Sequence, residues 1–221
     1  MNCNELKNTA LAALKGKWAS AVVGSIFVTA AMSVIMAPGY CSYMAALDVF
    51  PFTFIPASIL KYSAYASWLL NIFLLYPFIL GYALAHNDIL VSGDDRVTGN
   101  IIRNTFVGYF RNVWAMFQVY VFTLLWTLLF IVPGIVKSLS YSMTPFVLKD
   151  YPELSAGQAI KLSMKMMEGH KMDLFRLWLS FLGWLLLCIL TLGVGLLWAL
   201  PYLQTAIAAF YQDVRNDYIN R

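Results

Sequence analysis

Long uncharged apolar runs alternate along this chain with shorter stretches in which apolar residues recur every three to four positions, and that alternation predicts helices of two kinds. Residues 4–17 place Leu6, Thr9, Ala10, Ala13 and Leu14 on one helical face and Lys7 and Lys15 on another, the pattern of a helix lying on a membrane. Trp18 then stands where an interfacial aromatic belongs, and residues 18–36 are long enough to cross a bilayer before Pro38-Gly39 ends the run. The following segment, 38–61, is aromatic and interrupted by Pro51 and Pro56, with Asp48 and Lys61 as its charges, which suits an outer loop. Residues 62–91 are apolar again and form a second, inward span that Pro77 is expected to kink; His86, Asn87 and Asp88 mark its inner end.

After the polar linker 92–96, Ile101, Ile102, Thr105, Phe106 and Tyr109 line one face of a predicted helix, and Arg96, Arg103 and Arg111 place it in the cytosol. Residues 112–148 carry one charge, Lys137, and as a single helix would extend about 55 Å against a hydrocarbon core of about 30 Å. One long kinked helix would expose Lys149, Lys161, Lys165, Lys171 and Arg176 on the outer face. A hairpin turning at Pro133-Gly134 keeps them inside and is preferred, although its returning arm, 135–149, is short.

Ser155 and Gln158 have the spacing of a capping box, with Pro152 holding the preceding chain out of the helix. In the helix that follows, Ala156, Ala159, Ile160, Ser163, Met164 and Met167 oppose Lys161, Lys165 and Glu168, which predicts a second surface helix whose lysines meet anionic lipid head groups. Residues 177–212 are wholly uncharged and too long for one crossing, so they fold back at Gly193-Val194-Gly195. The expected architecture is an all-α polytopic membrane bundle of about six spans with both termini cytosolic. It forms a single membrane domain over 1–221, built from three helix-hairpin units at about 1–91, 92–149 and 150–221.

Composition agrees with that class. The chain of 221 residues is 61% hydrophobic and 12% charged, and its mean hydropathy is +0.69, too apolar for a soluble domain of this size. The net charge of +4 is spread singly between apolar runs, which orients spans and argues against nucleic acid. Residues 18–36 exceed a signal-peptide core and precede further spans, so they read as a retained anchor. Cys3, Cys41 and Cys188 fall in segments assigned to different compartments and give no disulfide or metal framework.

Candidate chemistry is sparse. Asn71, Gln118, Lys137 and Gln204 are the candidate polar residues inside predicted spans. The three amides suit bonding between helices, and Lys137 is close enough to the hairpin turn to reach the outer interface. His86 and Asp88 lie about 200° apart on a helix and do not converge as a local pair. Gly-x-Ser-x-Gly, His-Glu-x-x-His and paired intramembrane aspartates are all absent, so no enzyme, cofactor or metal is expected.

Ile131-Val132-Pro133-Gly134-Ile135 with Lys137, Leu139 and Tyr141-Ser142-Met143 leads into Pro152-Glu153-Leu154-Ser155, Ala159-Ile160, Ser163 and Met166-Met167. Further on stand Leu192-Gly193-Val194-Gly195-Leu196-Leu197-Trp198, Pro201-Tyr202, Thr205-Ala206 and Ala209-Phe210-Tyr211. Over about 112–212 these residues resemble the bacterial integral membrane proteins grouped as domain of unknown function 975. The resemblance implies a multi-pass protein of the bacterial cell membrane and supplies no activity or catalytic residues. The functional expectation is a non-enzymatic scaffold or envelope-associated protein whose partners are the bilayer and an unidentified membrane protein; the alternative is a transporter of small, amphipathic or lipid-like solutes.

Overall fold

The structure is a computed structural model that describes residues 2–46 and 56–220, and all regular structure among the described residues is helical. In chain order the helices are α1 (Cys3–Leu14), α2 (Trp18–Ala46), α3 (Ala57–Leu70), a π-helical turn (Asn71–Leu75) and α4 (Tyr76–Val91). Then come α5 (Val97–Phe106), α6 (Tyr109–Leu129), α7 (Ile131–Tyr141) and α8 (Thr144–Asp150). Last are α9 (Ala156–Met166), α10 (Lys171–Leu179), α11 (Leu182–Leu190) and α12 (Leu196–Ile219).

Five helical stretches are long and apolar enough to cross a membrane: Trp18–Met44, Tyr65–Val91, Tyr109–Leu129, Ile131–Asp150 and Lys171–Leu190. Three of them, Trp18–Met44, Tyr109–Leu129 and Lys171–Leu190, show the inverse of a soluble fold, since only 17–22% of the most apolar window is buried and Leu125, Leu128, Leu186 and Ile189 stand exposed. Water would penalise such a belt, whereas lipid solvates it. The outer loop centred on Pro51 lies outside the described residues.

Several boundaries differ from the sequence expectation for reasons of backbone chemistry. Proline does not end α2 at Pro38; the helix runs on to Ala46, and Ser42 donates to the Pro38 carbonyl at 2.9 Å. The carbonyl that Pro38 leaves without its helical donor is that of Val34, four residues earlier, so the Ser42 bond is an added contact and does not replace the lost one. At Pro77 the missing N–H frees the Phe73 carbonyl, four residues earlier, and the Tyr109 hydroxyl donates to it. The hairpin reverses at Phe130, whose extended backbone (φ −158°, ψ 142°) separates α6 from α7, and not at Pro133-Gly134. Pro133 occupies the first turn of α7, where an amide donor would have no helical partner. Gly134 lets the arms close: a Cβ there would stand 2.3 Å from Thr127 Oγ1 and 2.8 Å from Thr127 Cα.

The second reversal does occupy 191–195, with Gly193 at φ 91° and Leu192 at φ 50°. Every backbone N–H from Thr191 to Ala199 is bonded within the turn region, including Gly193 to the Cys188 carbonyl at 2.7 Å and Gly195 to Thr191 Oγ1 at 2.9 Å.

The amphipathic helices, α1 and α9 expected on the membrane and α5 in the cytosol, turn their inner faces into protein; α1 buries Leu6, Ala10 and Leu14. α9 buries Ala156, Ala159, Ile160, Ser163 and Met166 against α6, α7 and α8, while Lys161 and Lys165 remain exposed. α5 buries Val97, Asn100, Ile101, Asn104 and Thr105 and leaves Ile102 and Phe106 exposed, so its inner face is rotated towards the asparagines. It fits because a Cβ at Gly24 of α2 would meet Val97 at 2.6 Å and one at Gly81 of α4 would meet the Ile101 carbonyl at 2.6 Å. α12, expected as a sixth span over 196–212, falls outside the five apolar stretches and is a core helix, burying Tyr202, Thr205, Ala206, Phe210, Tyr211 and Val214.

α9 starts on a capping box: Ser155 Oγ accepts from the Gln158 amide at 3.4 Å, and Gln158 Oε1 accepts from the Ser155 amide at 2.8 Å. Ser155→Ala is therefore expected to cost about 1 kcal/mol. It should show as a lower Tm in detergent, most of which Ser155→Asp restores.

Candidate functional site

The polar groups of the chain converge at the end of the bundle where α1, α5, α9 and the last turns of α4, α8 and α12 meet. Asp88 is the centre of this layer. It sits near the end of α4 with its side chain 13% exposed. Lys149 of α8 donates to Oδ1, Asn104 Nδ2 of α5 donates to Oδ2 at 2.9 Å, and Arg103 Nη2 stands 3.5 Å from Oδ2. Beside it, Asn87 Oδ1 accepts from Gln212 Nε2 at 2.8 Å. Tyr211 donates to Asp150 Oδ2 at 2.8 Å, and Arg215 stands 3.5 Å from the same oxygen. The Tyr211 ring stacks on Phe146 with centroids 4.8 Å apart, so the ionic layer rests on an aromatic floor.

Arg111, in the first turn of α6, reaches across to the carbonyls of Leu148, Pro152 and Leu154. These acceptors belong to the last turn of α8 and to the loop that follows, where the helix leaves its carbonyls unpaired. A planar guanidinium with several donors can cap them together. Deeper in the same region, Ser163 of α9 donates to the Ser140 carbonyl of α7 at 2.9 Å. Seven helices, α4 to α9 and α12, are thus held by side chains far apart in sequence. A buried ion pair of this type is costly to break because removing one partner strands the other charge.

Outside this layer, Asp94 and Arg96 pair at 3.1 Å in the linker before α5. The side-chain hydrogen bond from Arg96, aided by its backbone amide, holds the Asp94 carboxyl below the usual range. The stabilisation belongs to the anion: it is complete above the unfolded value of 3.8 and fades as pH falls through the lower folded value. The Arg96 side chain is 80% exposed, so solvent screens this pair and its contribution is minor.

A family model described as protein of unknown function (DUF975) matches residues 100–218, from the middle of α5 to the end of α12. The chain belongs to that family. The matched region supplies Arg103, Asn104, Arg111, Lys149, Asp150, Gln212 and Arg215 to the polar layer, while Asn87 and Asp88 come from α4, which precedes it. No curated protein and no solved structure matches the chain.

In this DUF975 protein the four polar residues singled out inside spans do not share one cavity. Asn71 lies in the π-helical turn and donates to the Ser67 carbonyl of its own helix at 2.7 Å. Lys137 of α7 places Nζ 5.0 Å from the centroid of the Trp126 ring across the first hairpin. Gln118 of α6 encloses its Oε1 without a partner among the described residues, and Gln204 is half-buried on α12. None of the four lines the apolar pockets beside α6 and α11 or the polar clefts at the charged end. His86 is fully buried, its Nδ1 2.9 Å from the Tyr82 carbonyl, and takes no part in the contacts of Asp88.

Sequence reasoning uses Asp88, Arg111 and Lys149 only as markers of topology and passes over Asn104, and it singles out none of the four as a site residue. A local signal for one existed: Asn100 and Asn104 stand four apart beside Val97 and Ile101, a polar stripe on a face that packs.

Proposed function

We propose that this protein is a non-enzymatic scaffold or envelope-associated interaction protein of the bacterial cell membrane. It crosses six times, counting α12, with both termini and the polar layer in the cytosol. The observation that carries this reading is where the charges pair: Asp88 and Asp150 meet Lys149, Arg103 and Arg215 at one end of the bundle, while Asn71 and Lys137 make separate contacts within the spans. A coupled transporter needs converging charges near the midplane. On the inner face, Lys161 and Lys165 of α9 are exposed towards anionic lipid head groups, at about 1 kcal/mol each.

Single cysteines in a background lacking the native three test the topology. Val132, 70% exposed at the first hairpin tip, is expected to label from outside and Lys161 from inside. Labelling of both from one side overturns the arrangement. Co-purification of a stable membrane-protein partner is the expected functional result. Solute flux in proteoliposomes that Gln118→Leu abolishes would replace the scaffold by the transporter.

A further inference from the structure

Two concavities flank the start of α6, lined by adjacent residues of its first turn. The first is an apolar groove of about 400 Å³ between the end of α3 with the π-helical turn and the first two turns of α6. Leu69, Ile72 and Phe73 form one wall, and Phe110, Trp114 and Phe117 form the other. Leu69, Phe73, Phe110 and Trp114 are all exposed, so the groove opens onto the apolar belt, and from Phe110 to Phe117 it follows α6 for about 10 Å. The second is a cleft of about 220 Å³ on the charged side of the same helix end, lined by Arg103, Asn104, Arg111, Asn112 and Lys149. Phe110 lines the groove and Arg111, the next residue, lines the cleft.

The cleft carries a surplus of positive charge. Its lining holds three cations, and the carboxylate that answers them, Asp88, is shared by Lys149 and Arg103. Arg111 bonds to main-chain carbonyls, which carry no formal charge, and it has no carboxylate partner among the described residues. Arg103 is 58% exposed and gives Asp88 a single long contact, so most of its donors face outward. Cations held at a membrane interface attract an anion, and a guanidinium favours phosphate geometry.

We propose that this paired groove and cleft bind one anionic phospholipid, with an acyl chain lying between α3 and α6 and the phosphate at Arg103 beside Arg111 and Lys149. The charge complementarity selects the headgroup, and the groove's carbon lining selects a lipid over a soluble phosphate. The assignment rests on the reading of the chain as membrane-embedded and is independent of whether the protein is a scaffold.

Native mass spectrometry of the full-length protein, delipidated in detergent and titrated with phosphatidylglycerol or phosphatidylcholine of identical chains, tests it. One phosphatidylglycerol per chain is expected to bind in preference to phosphatidylcholine. Arg103→Gln should reduce that preference about fivefold, the effect of removing one cation at an anionic surface. Phe110→Gln should weaken both lipids alike and leave their ratio unchanged. Equal binding of the two lipids, or a preference unaltered in a folded Arg103→Gln variant, overturns the site. Competition by glycerol phosphate as effective as that by phosphatidylglycerol overturns the role of the groove. Carbonate extraction of the native membranes is read separately: release of the chain refutes membrane embedding, whereas retention with no lipid preference refutes only this site.

Discussion

Asp88→Asn is expected to lower the stability of the detergent-solubilised protein by on the order of 3 kcal/mol, because it leaves Lys149 beside a neutral amide in a mostly buried place. The contribution of Arg103 is smaller, since its side chain is 58% exposed and solvent screens it. The decisive comparison is Asp88→Leu with Lys149→Met, which removes both charges of the pair and keeps the volume. Thermal unfolding of the single and double variants forms a cycle. If the stranded charge is the cause, the double variant recovers more than half of the loss. A double variant as unstable as the single one would assign the effect to packing instead.

Gly81→Ala is expected to cost about 3 kcal/mol or more, the upper end of overpacking penalties. The added Cβ would stand 2.2 Å from Thr105 Oγ1 and 2.6 Å from the Ile101 carbonyl, and the second of these atoms belongs to the α5 backbone. Removing the hydroxyl with Thr105→Ala therefore gives little relief, because α4 and α5 must still separate. Gly24→Ala provides the contrast: its nearest obstacle is the Val97 side chain, at 2.6 Å, so Val97→Ala should rescue it. Gly157→Ala in α9 meets nothing within 4 Å and should leave stability unchanged or slightly raised. Equal effects at Gly81 and Gly157 in thermal melts would mean that α5 does not seat on α4 as described.

What the sequence makes legible is what neighbouring residues decide among themselves. Ser155 and Gln158 close their two bonds within four residues, and the glycines around Val194 permit a reversal that a long uncharged run requires. The same local logic misplaces the first reversal, because Pro133 is as well suited to the start of a helix as to its end. Periodicity also distinguishes apolar faces from polar ones without saying what covers the apolar face. For α5 and α9 the cover is protein, and for α5 the residues that admit it, Gly24 and Gly81, have no side chain to contribute to a pattern. The polar layer is the least legible part: Asp88 meets Asn104 across 16 positions and Lys149 across 61, and no window along the chain contains that partnership.

The closed turn between α11 and α12 separates two properties that usually vary together. Leu192 is 95% exposed, yet the amides from Thr191 to Ala199 are all engaged within the protein. Side-chain exposure there carries no matching demand for water, so proton exchange with solvent should be slow at these amides despite their place at a hairpin tip. Each unpaired backbone group carried into hydrocarbon costs several kcal/mol. A tip without unpaired donors lowers the barrier to threading this hairpin through the acyl-chain region, and its apolar residues gain by the passage.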